Sequence, residues 1–386
     1  MKVAVIGAGV IGVTVAAELA RKGADVVLFD QSSPGAGTSS TSYAWLNSNG
    51  KEPRAYFDLN LAGLRAHKRL SPTDESGWIG LGGHVEFAVD DAHCRDLAAR
   101  VERLAPRDYG AEIITPDRAR ELLPDVRLPD GVKLIVYFAN EAYAYPAKYI
   151  AFMLNRARAA GAEIRTGRSV VHVRSTGEGA AIELEDGTVH LADRVVSAVG
   201  RWTQAFTSGI GYMVPVKEFS EPGDVVVGYL ATTNPLPVQL SRLVTSPWLN
   251  VRPAGGGRLM LQALDLDGTA DPRNVPDPES DLAQTFLARL QTLMGNTDGA
   301  RIEEIVVGQR VMPDDGRTIV GPVPNVPWLY VVATHSGITL APYLGETVAA
   351  EVLGVKQDAF EEFRIERFMS DATYGQPYRP RKPGQQ

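Results

Sequence analysis

Apolar and polar positions follow two different textures along this chain. Lys2–Ile6 is a short β-branched apolar run, the pattern of a parallel strand buried on both faces. From Val13 to Lys22 the apolar positions recur at helical spacing and stop at Gly23; Val26–Phe29 is then a second buried strand closing on Asp30. Val195–Val199 and Trp328–Ala333 repeat the buried-strand pattern, and Ile164–Gly167 and Ser169–Val173 are two short β runs behind a helix over Ala151–Ala160. His335–Leu340 reads as a loop leading into a helix through Glu346–Leu353, with Pro342 near its start. Elsewhere Val85–Val89, Asp224–Ala231, Leu249–Arg252 and Arg258–Leu264 are strand-like. Gly255-Gly256-Gly257 joins the last two as a hairpin turn, and Leu282–Met294 is an amphipathic helix.

Composition narrows the class. With 386 residues the chain exceeds the roughly 250–300 that one core serves, so two domains are expected. Hydrophobic residues at 44% and charged residues at 22% exclude disordered and disulfide-scaffold classes. The net charge is −7 and the longest basic block is the short Arg379–Lys382, so nucleic acid is a poor partner. Cys94 stands alone, which excludes an intrachain disulfide and suits a reducing, cytoplasmic setting. No run of about 18 apolar residues offers a transmembrane segment. The apolar start carries Gly7, Gly9 and Gly12 and lacks a basic leader, so it reads as folded protein and not as a secretory signal.

Strand, glycine turn, helix, strand and acid, in that order, form the full dinucleotide-binding context. Gly7 permits the tight turn, Gly9 lets backbone approach a pyrophosphate, and Gly12 lets the helix pack on the strand. The helix start turns free N–H groups and a partial positive charge toward the phosphates. Asp30 can accept from a ribose hydroxyl and would repel a 2′-phosphate, which disfavours NADP. No further helix–strand unit follows. Instead Gly35–Ser42 is small and polar, and Ser39 and Ser40 supply more donors to a diphosphate. Taken alone, that stretch is also compatible with a surface loop.

The opening motif, the Gly-Thr-Ser-Ser segment and Ala44–Asn47 resemble the D-amino-acid oxidase / glycine oxidase / sarcosine oxidase superfamily of FAD enzymes. So do Asn140–Pro146, Val195–Trp202, Gly308–Arg310, Asp315–Arg317, Ile319–Gly321 and Thr334–Pro342, in the order the superfamily has them. The resemblance implies an α/β fold with a discontinuous Rossmann-like FAD-binding domain (1–75, 146–212 and 306–372). It also implies an α+β substrate domain with a mixed or antiparallel sheet (76–145 and 213–305); the tail 373–386 is expected to be mobile. It places FAD on Gly7, Gly9, Val10, Ile11 and Gly12, on Asp30 and Gln31, and on Ser39 and Ser40. Further contacts fall at Ala44, Trp45, Leu46 and Asn47, at the Val171 backbone, and at Ala198, Gly200 and Trp202. Ser336, Gly337, Ile338, Thr339 and Leu340, with Arg310, complete the set. Amides from Gly337 to Leu340 would lie at the flavin N1–C2=O edge, where reduction puts negative charge. No cysteine lies near Gln309, so the flavin should be noncovalent.

Such enzymes remove hydride from a carbon bearing an amine and leave an imine. By the same resemblance Arg310 would hold a substrate carboxylate as a two-pronged pair, its alternative being an acid of its own protein such as Asp314 or Asp315. Asp314-Asp315-Gly316 itself reads as a turn. Tyr212, Tyr229 and Trp248 are candidates to face the flavin or to fill the core. Arg252 reads as a solvated strand end, with contact to an acidic substrate group as the alternative. His335 is a packing histidine or, for a 2-hydroxy-acid substrate, the base such chemistry needs. The oxygen-activating lysine of the sarcosine-oxidase branch has no counterpart in Trp248–Ala263, where Met260 stands near its place. The expected partners are therefore a small amine or amino acid and O2 or another electron acceptor. A homo-oligomer, and a role as the FAD-bearing subunit of a larger dehydrogenase, are left open.

Overall fold

The structure, a computed structural model, describes residues 1–369; the tail 373–386 lies outside them. A six-stranded sheet runs in the order Ile319–Val323, Val326–Ala333, Arg194–Ser197, Lys2–Ile6, Asp25–Asp30, Glu163–Thr166. Only its first pair is antiparallel. Alternation along Lys2–Ile6 divides the core: Val3 and Val5 pack under helices, while Ala4 and Ile6 face a small antiparallel sheet. That small sheet is Val170–Ser175, Ala180–Leu184 and Val189–Ala192, so the two β runs either side of Gly167 belong to different sheets. Both faces are covered, which is why these strands read as continuous apolar runs.

On the helical face Val10–Arg21 lies against Pro146–Ala159 and Gly337–Val352. A Cβ on Gly345 would sit 2.3 Å from Thr14 Cγ2, so the first and last of these helices cross nearly backbone to backbone. Pro146 is tolerated at the first position of its helix, which starts five residues before the expected Ala151 because a missing N–H costs nothing there.

The second large sheet has eight strands in the order Ile302–Gln309, Val227–Thr233, Arg258–Gln262, Asn250–Gly255, Leu243–Thr245, His84–Ala88, Leu134–Phe138, Ala111–Ile113. Leu243–Thr245 with His84–Ala88 is its one parallel pair. Gly255, Gly256 and Gly257 all have positive φ, as the hairpin they form requires. Helix Asp281–Leu293 buries Phe286 and Leu290 against one face of this sheet; the other face meets Tyr43 and Trp45. Ile302–Gln309 belongs to this sheet along its whole length, paired with Val227–Thr233 as far as Gln309, so the boundary expected at 306 falls inside a strand.

Buried charge ties the parts together. Glu86 accepts from Arg100 Nη1 at 2.8 Å and Nη2 at 2.7 Å, and His93 Nε2 lies 2.9 Å away. Burial alone would raise its pKa, but Arg100 and His93 outweigh burial and hold it at about 2. Nearby, fully buried Glu141 accepts from Trp45 Nε1 and Asn49 Nδ2, each at 2.7 Å, and from the Tyr109 hydroxyl at 2.9 Å. It thereby pins the segment Trp45–Asn49 to the strands beside it.

Replacing Arg100 by Met strands the Glu86 carboxylate and should cost about 3–5 kcal/mol of unfolding free energy in denaturant titrations. The double variant Arg100→Met/Glu86→Leu should recover most of that loss. A single variant as stable as the parent would show that the pair contributes nothing.

Candidate functional site

The opening turn is built by contact between backbones. A Cβ on Gly7, whose φ is +103°, would lie 2.5 Å from the Ala198 carbonyl, and one on Gly12 only 1.7 Å from the Gly7 carbonyl. Gly9 differs: a Cβ there would meet only Ser39 Oγ, at 3.2 Å, and both residues line a cavity of about 530 Å³. Val10 and Ile11 line the same cavity at the start of the helix, with Val10 N–H donating to Ser39 Oγ at 3.2 Å. Asp30 and Gln31 close one end. The Asp30 carboxylate accepts from Ala8 N at 2.6 Å and Ser32 N at 2.8 Å, which locks the acid to the turn.

Ala198, Gly200 and Trp202 form the facing wall, with the Arg201 guanidinium 3.8 Å above the Trp202 ring. Two expected contacts are displaced. Val171 is 45% exposed and does not line the cavity; a register shift after Val170 turns Val170 inward in its place. Ser40 also faces outward, because the turn Gly37–Ser40 spends its hydroxyl on the Gly37 carbonyl at 2.9 Å. Thr38 points inward instead, donating to the Gln309 carbonyl at 2.8 Å. Gly12, Leu46 and Leu340 are buried in the packing behind the walls and shape the groove without lining it.

Gly337 and Ile338 line the far end of the groove. His335 lies there too and also borders a smaller void with Ser42, Ala44, Trp45 and Asn47. Ser336, Thr339 and buried Lys51 line that void as well. Ala44 holds a left-handed backbone, φ +54°, at this corner.

The expected loop His335–Leu340 is shorter than the sequence pattern implies, since helix Gly337–Val352 already begins at Gly337. Pro342 therefore falls inside the helix, where its missing N–H leaves the Ile338 carbonyl without a helical donor. His67 fills the gap: its Nε2 lies 2.7 Å from the Ile338 carbonyl. Helix Arg54–Leu70, which carries His67, also brings the Tyr56 hydroxyl to 2.8 Å from Ser336 Oγ. Gly63 of the same helix fits where a Cβ would strike the Thr339 carbonyl at 2.5 Å. Burial lowers the His67 pKa to about 4, more than its bond to Ile338 raises it, so the ring stays neutral and donates.

A second cavity, about 410 Å³, opens on the eight-stranded sheet. Arg310 and Trp248 line it with Asn250, Gln262 and Asp267. Side-chain alternation sends Arg310 into this cavity and Val311 into the groove, so these two residues form the partition. The Arg310 guanidinium is committed within the protein. Nη1 donates to the Val225 and Val227 carbonyls and Nη2 to Asp267 at 3.0 Å. Its acid is thus Asp267, supplied by the turn after Arg258–Gln262, and neither Asp314 nor Asp315; Asp315 pairs with Arg317 and Arg367.

Tyr229 is not at either cavity. It packs on the helix-covered face of the sheet, and its hydroxyl donates to the Thr269 carbonyl at 2.8 Å. Trp248 leans on Phe87 in the same core while one side borders the cavity. Tyr212 lies elsewhere, its hydroxyl donating to Met369 Sδ. Arg252, expected at a solvated strand end, is 2% exposed. Lys51 had no motif to mark it, and Thr38 and Ser42, though inside the Gly35–Ser42 stretch, were not among the expected contacts; the folding of residues 38–51 around the groove brings them there.

Known proteins agree with this geometry. The sequence profile of the DAO family, FAD dependent oxidoreductase, matches residues 2–351. Glycine oxidase of Bacillus licheniformis is 25% identical over 374 residues, which span 94% of this chain and 96% of that protein. D-proline dehydrogenase of Pyrobaculum islandicum is 26% identical over 400 residues, spanning 92% and 96%. The crystal structure of glycine oxidase from Geobacillus kaustophilus superposes with a TM-score of 0.82 at 23% identity, over 95% of this chain and 98% of that one.

The lowered His67 pKa has a consequence for stability. The unfolded chain takes up this proton at about pH 6.5 and the folded chain only at about 4. The contribution is therefore whole above pH 6.5 and is lost on acidification toward pH 4, by roughly 3 kcal/mol. His67→Gln keeps a donor for Ile338 without titrating, so its melting temperature should fall less across that window. Parallel pH profiles for the two proteins would contradict this.

Proposed function

The chain belongs to the DAO family of FAD-dependent oxidoreductases, and on that premise we propose that it oxidises the carbon next to the amine of an amino acid, N-alkyl amino acid or imino acid to an imine. The observation that carries this reading is the groove from Asp30 and Gln31 past Gly9 to His335, which Val311 lines while its neighbour Arg310 lines the sheet-side cavity. The residues present fit FAD. Gly9 keeps a side chain out of the groove, and the N-terminal ends of helices Val10–Arg21 and Gly337–Val352 both reach it. When bound, FAD supplies the two-electron acceptor for hydride.

Each part of the chain then has a task. Free N–H groups at the start of Val10–Arg21 would hold the diphosphate, Asp30 would accept from a ribose hydroxyl, and the first turn of Gly337–Val352 would offer N–H donors to the ring. The portions 1–75 and 146–212 and the chain from Arg310 to Met369 serve the cofactor; 76–145 and 213–309, with strand Ile302–Gln309 kept whole, supply the substrate wall. The flavin is held noncovalently: Cys94, the one cysteine, lies on helix Asp91–Leu104 and lines neither cavity. Electrons pass to O2 or another acceptor. Among the described residues no helix is long and apolar enough to cross a membrane, and a cytoplasmic enzyme, alone or as a homo-oligomer, is our reading.

Purified protein should be yellow and release flavin on acid precipitation. Under anaerobic conditions its flavin should bleach with one or more of glycine, D-amino acids, N-methyl amino acids and proline analogues. Peroxide formed in air would then mark an oxidase. Bleaching by 2-hydroxy acids alone would overturn the amine reading and move His335 to the role of base. Gly9→Leu should fold with an unchanged melting temperature yet carry no flavin; a yellow Gly9→Leu protein would remove the groove as the cofactor site.

A further inference from the structure

The cavity of about 410 Å³ on the eight-stranded sheet has a polar floor. Leu249, Val251 and Leu261 pack into the helix-covered core, so strand alternation turns Asn250 and Gln262 to the other face, the one that meets Tyr43 and Trp45. These two residues stand opposite each other on neighbouring strands, and both line the cavity. They are only 6% and 4% exposed. Asn250 Nδ2 donates to Gln262 Oε1 at 3.3 Å, and neither side chain makes another hydrogen bond among the described residues. Asn250 Oδ1 and Gln262 Nε2 are left over, an acceptor beside a donor. Turning both amides over exchanges their roles and still leaves one acceptor and one donor. Buried amide atoms without partners cost free energy that a bound polar group recovers.

The charges around this floor are set by pairing within the protein. Arg310, the one cation among the lining residues, has Asp267 Oδ2 at 3.0 Å. Asp265 is gripped by both terminal nitrogens of Arg289 at 2.7 Å. Asp224 lines the cavity too, and its carboxylate accepts only from Ser220 and the Val226 N–H, so one negative charge stays unmatched. An entering carboxylate is repelled by that charge and has no N–H to give Asn250 Oδ1. An ammonium cannot accept from Gln262 Nε2. A carboxamide answers both, being neutral and carrying a donor and an acceptor side by side.

We propose that this cavity is a subsite for a neutral carboxamide, so that the amino acid oxidised carries a side-chain amide, as asparagine and glutamine do. The proposal rests on the amine-oxidation reading. The carboxamide N–H donates to Asn250 Oδ1 and its carbonyl accepts from Gln262 Nε2; no covalent bond changes. Arg310 stays with Asp267 as a wall of the subsite, and its neighbour Val311 lines the cofactor groove, which sets the two spaces side by side.

The holoenzyme tests this by two readouts. Flavin bleaching is compared, in whichever enantiomer the parent oxidises, for asparagine against leucine and for glutamine against methionine, glutamate and lysine. Saturation-transfer NMR separately follows the binding of butyramide and of butyrate, neither of which has an amine to oxidise. The parent should favour the amide in every comparison and bind butyramide over butyrate. Asn250→Leu/Gln262→Met replaces both amides by apolar groups of similar size. It should keep its flavin while the amide preference and butyramide binding each fall on the order of 10- to 100-fold. Where the double variant does not fold, Gln262→Met alone removes the free donor and should lower both roughly 10-fold. Parent-like preference and butyramide binding in the variants would overturn the proposal. So would a parent that takes leucine, glutamate or lysine as well as the amides, or that binds butyrate as tightly as butyramide. A parent whose flavin no amine bleaches removes the amine-oxidation reading instead, and butyramide binding, with its loss in the variants, then decides the subsite by itself.

Discussion

Close approach of backbone to backbone is the constraint on which this structure depends. Gly7 rests on the Ala198 carbonyl, Gly12 on the Gly7 carbonyl, Gly63 on the Thr339 carbonyl and Gly345 on Thr14. At each place a single added carbon would force the elements apart. Their combined effect is to bring two helix starts, at Val10 and Gly337, to one groove, because the helices that bear them cross with Thr14 of one seated against Gly345 of the other. Two partial positive charges then face one narrow space. An anionic, extended ligand is what such a space accommodates.

The interior distributes its charges by a consistent rule, and the exception is informative. Glu86 is met by Arg100 and His93, Glu141 by three N–H and O–H donors, and Arg310 by Asp267. In each case a low-dielectric site holds a charge only because a partner is fixed in place. Arg252 is buried as deeply with carbonyls and a thioether for company. It lies where the sheet meets the groove wall.

Support for the groove comes from outside the dinucleotide motif. Glu141 grips the Trp45 indole and Asn49, and the Trp45 carbonyl in turn accepts from Thr339 Oγ1 at 3.3 Å. Helix Arg54–Leu70 holds the opposite flank through Tyr56 and His67. The proline that interrupts one helix is thereby answered by a histidine on another. Such a bond joins residues 271 apart in sequence and leaves no local trace.

What could be read from the chain alone was whatever a short stretch determines by itself. The glycine turn, the strand and helix around it, Asp30, the Gly255–Gly257 hairpin and the buried strands Val195–Val199 and Trp328–Ala333 each follow from local sterics and periodicity. Side-chain partners did not. Whether Arg310 met a substrate or an acid of its own, whether Tyr229 faced a ligand or the core, and whether Arg252 ended in water or in the interior were all open in the sequence. A one-residue register shift exchanged Val171 for Val170, and a turn exchanged Ser40 for Thr38. Local pattern specifies which elements form. Only the tertiary fold, by choosing which face of each strand is covered and which distant donor meets each acceptor, decides which residues reach the site.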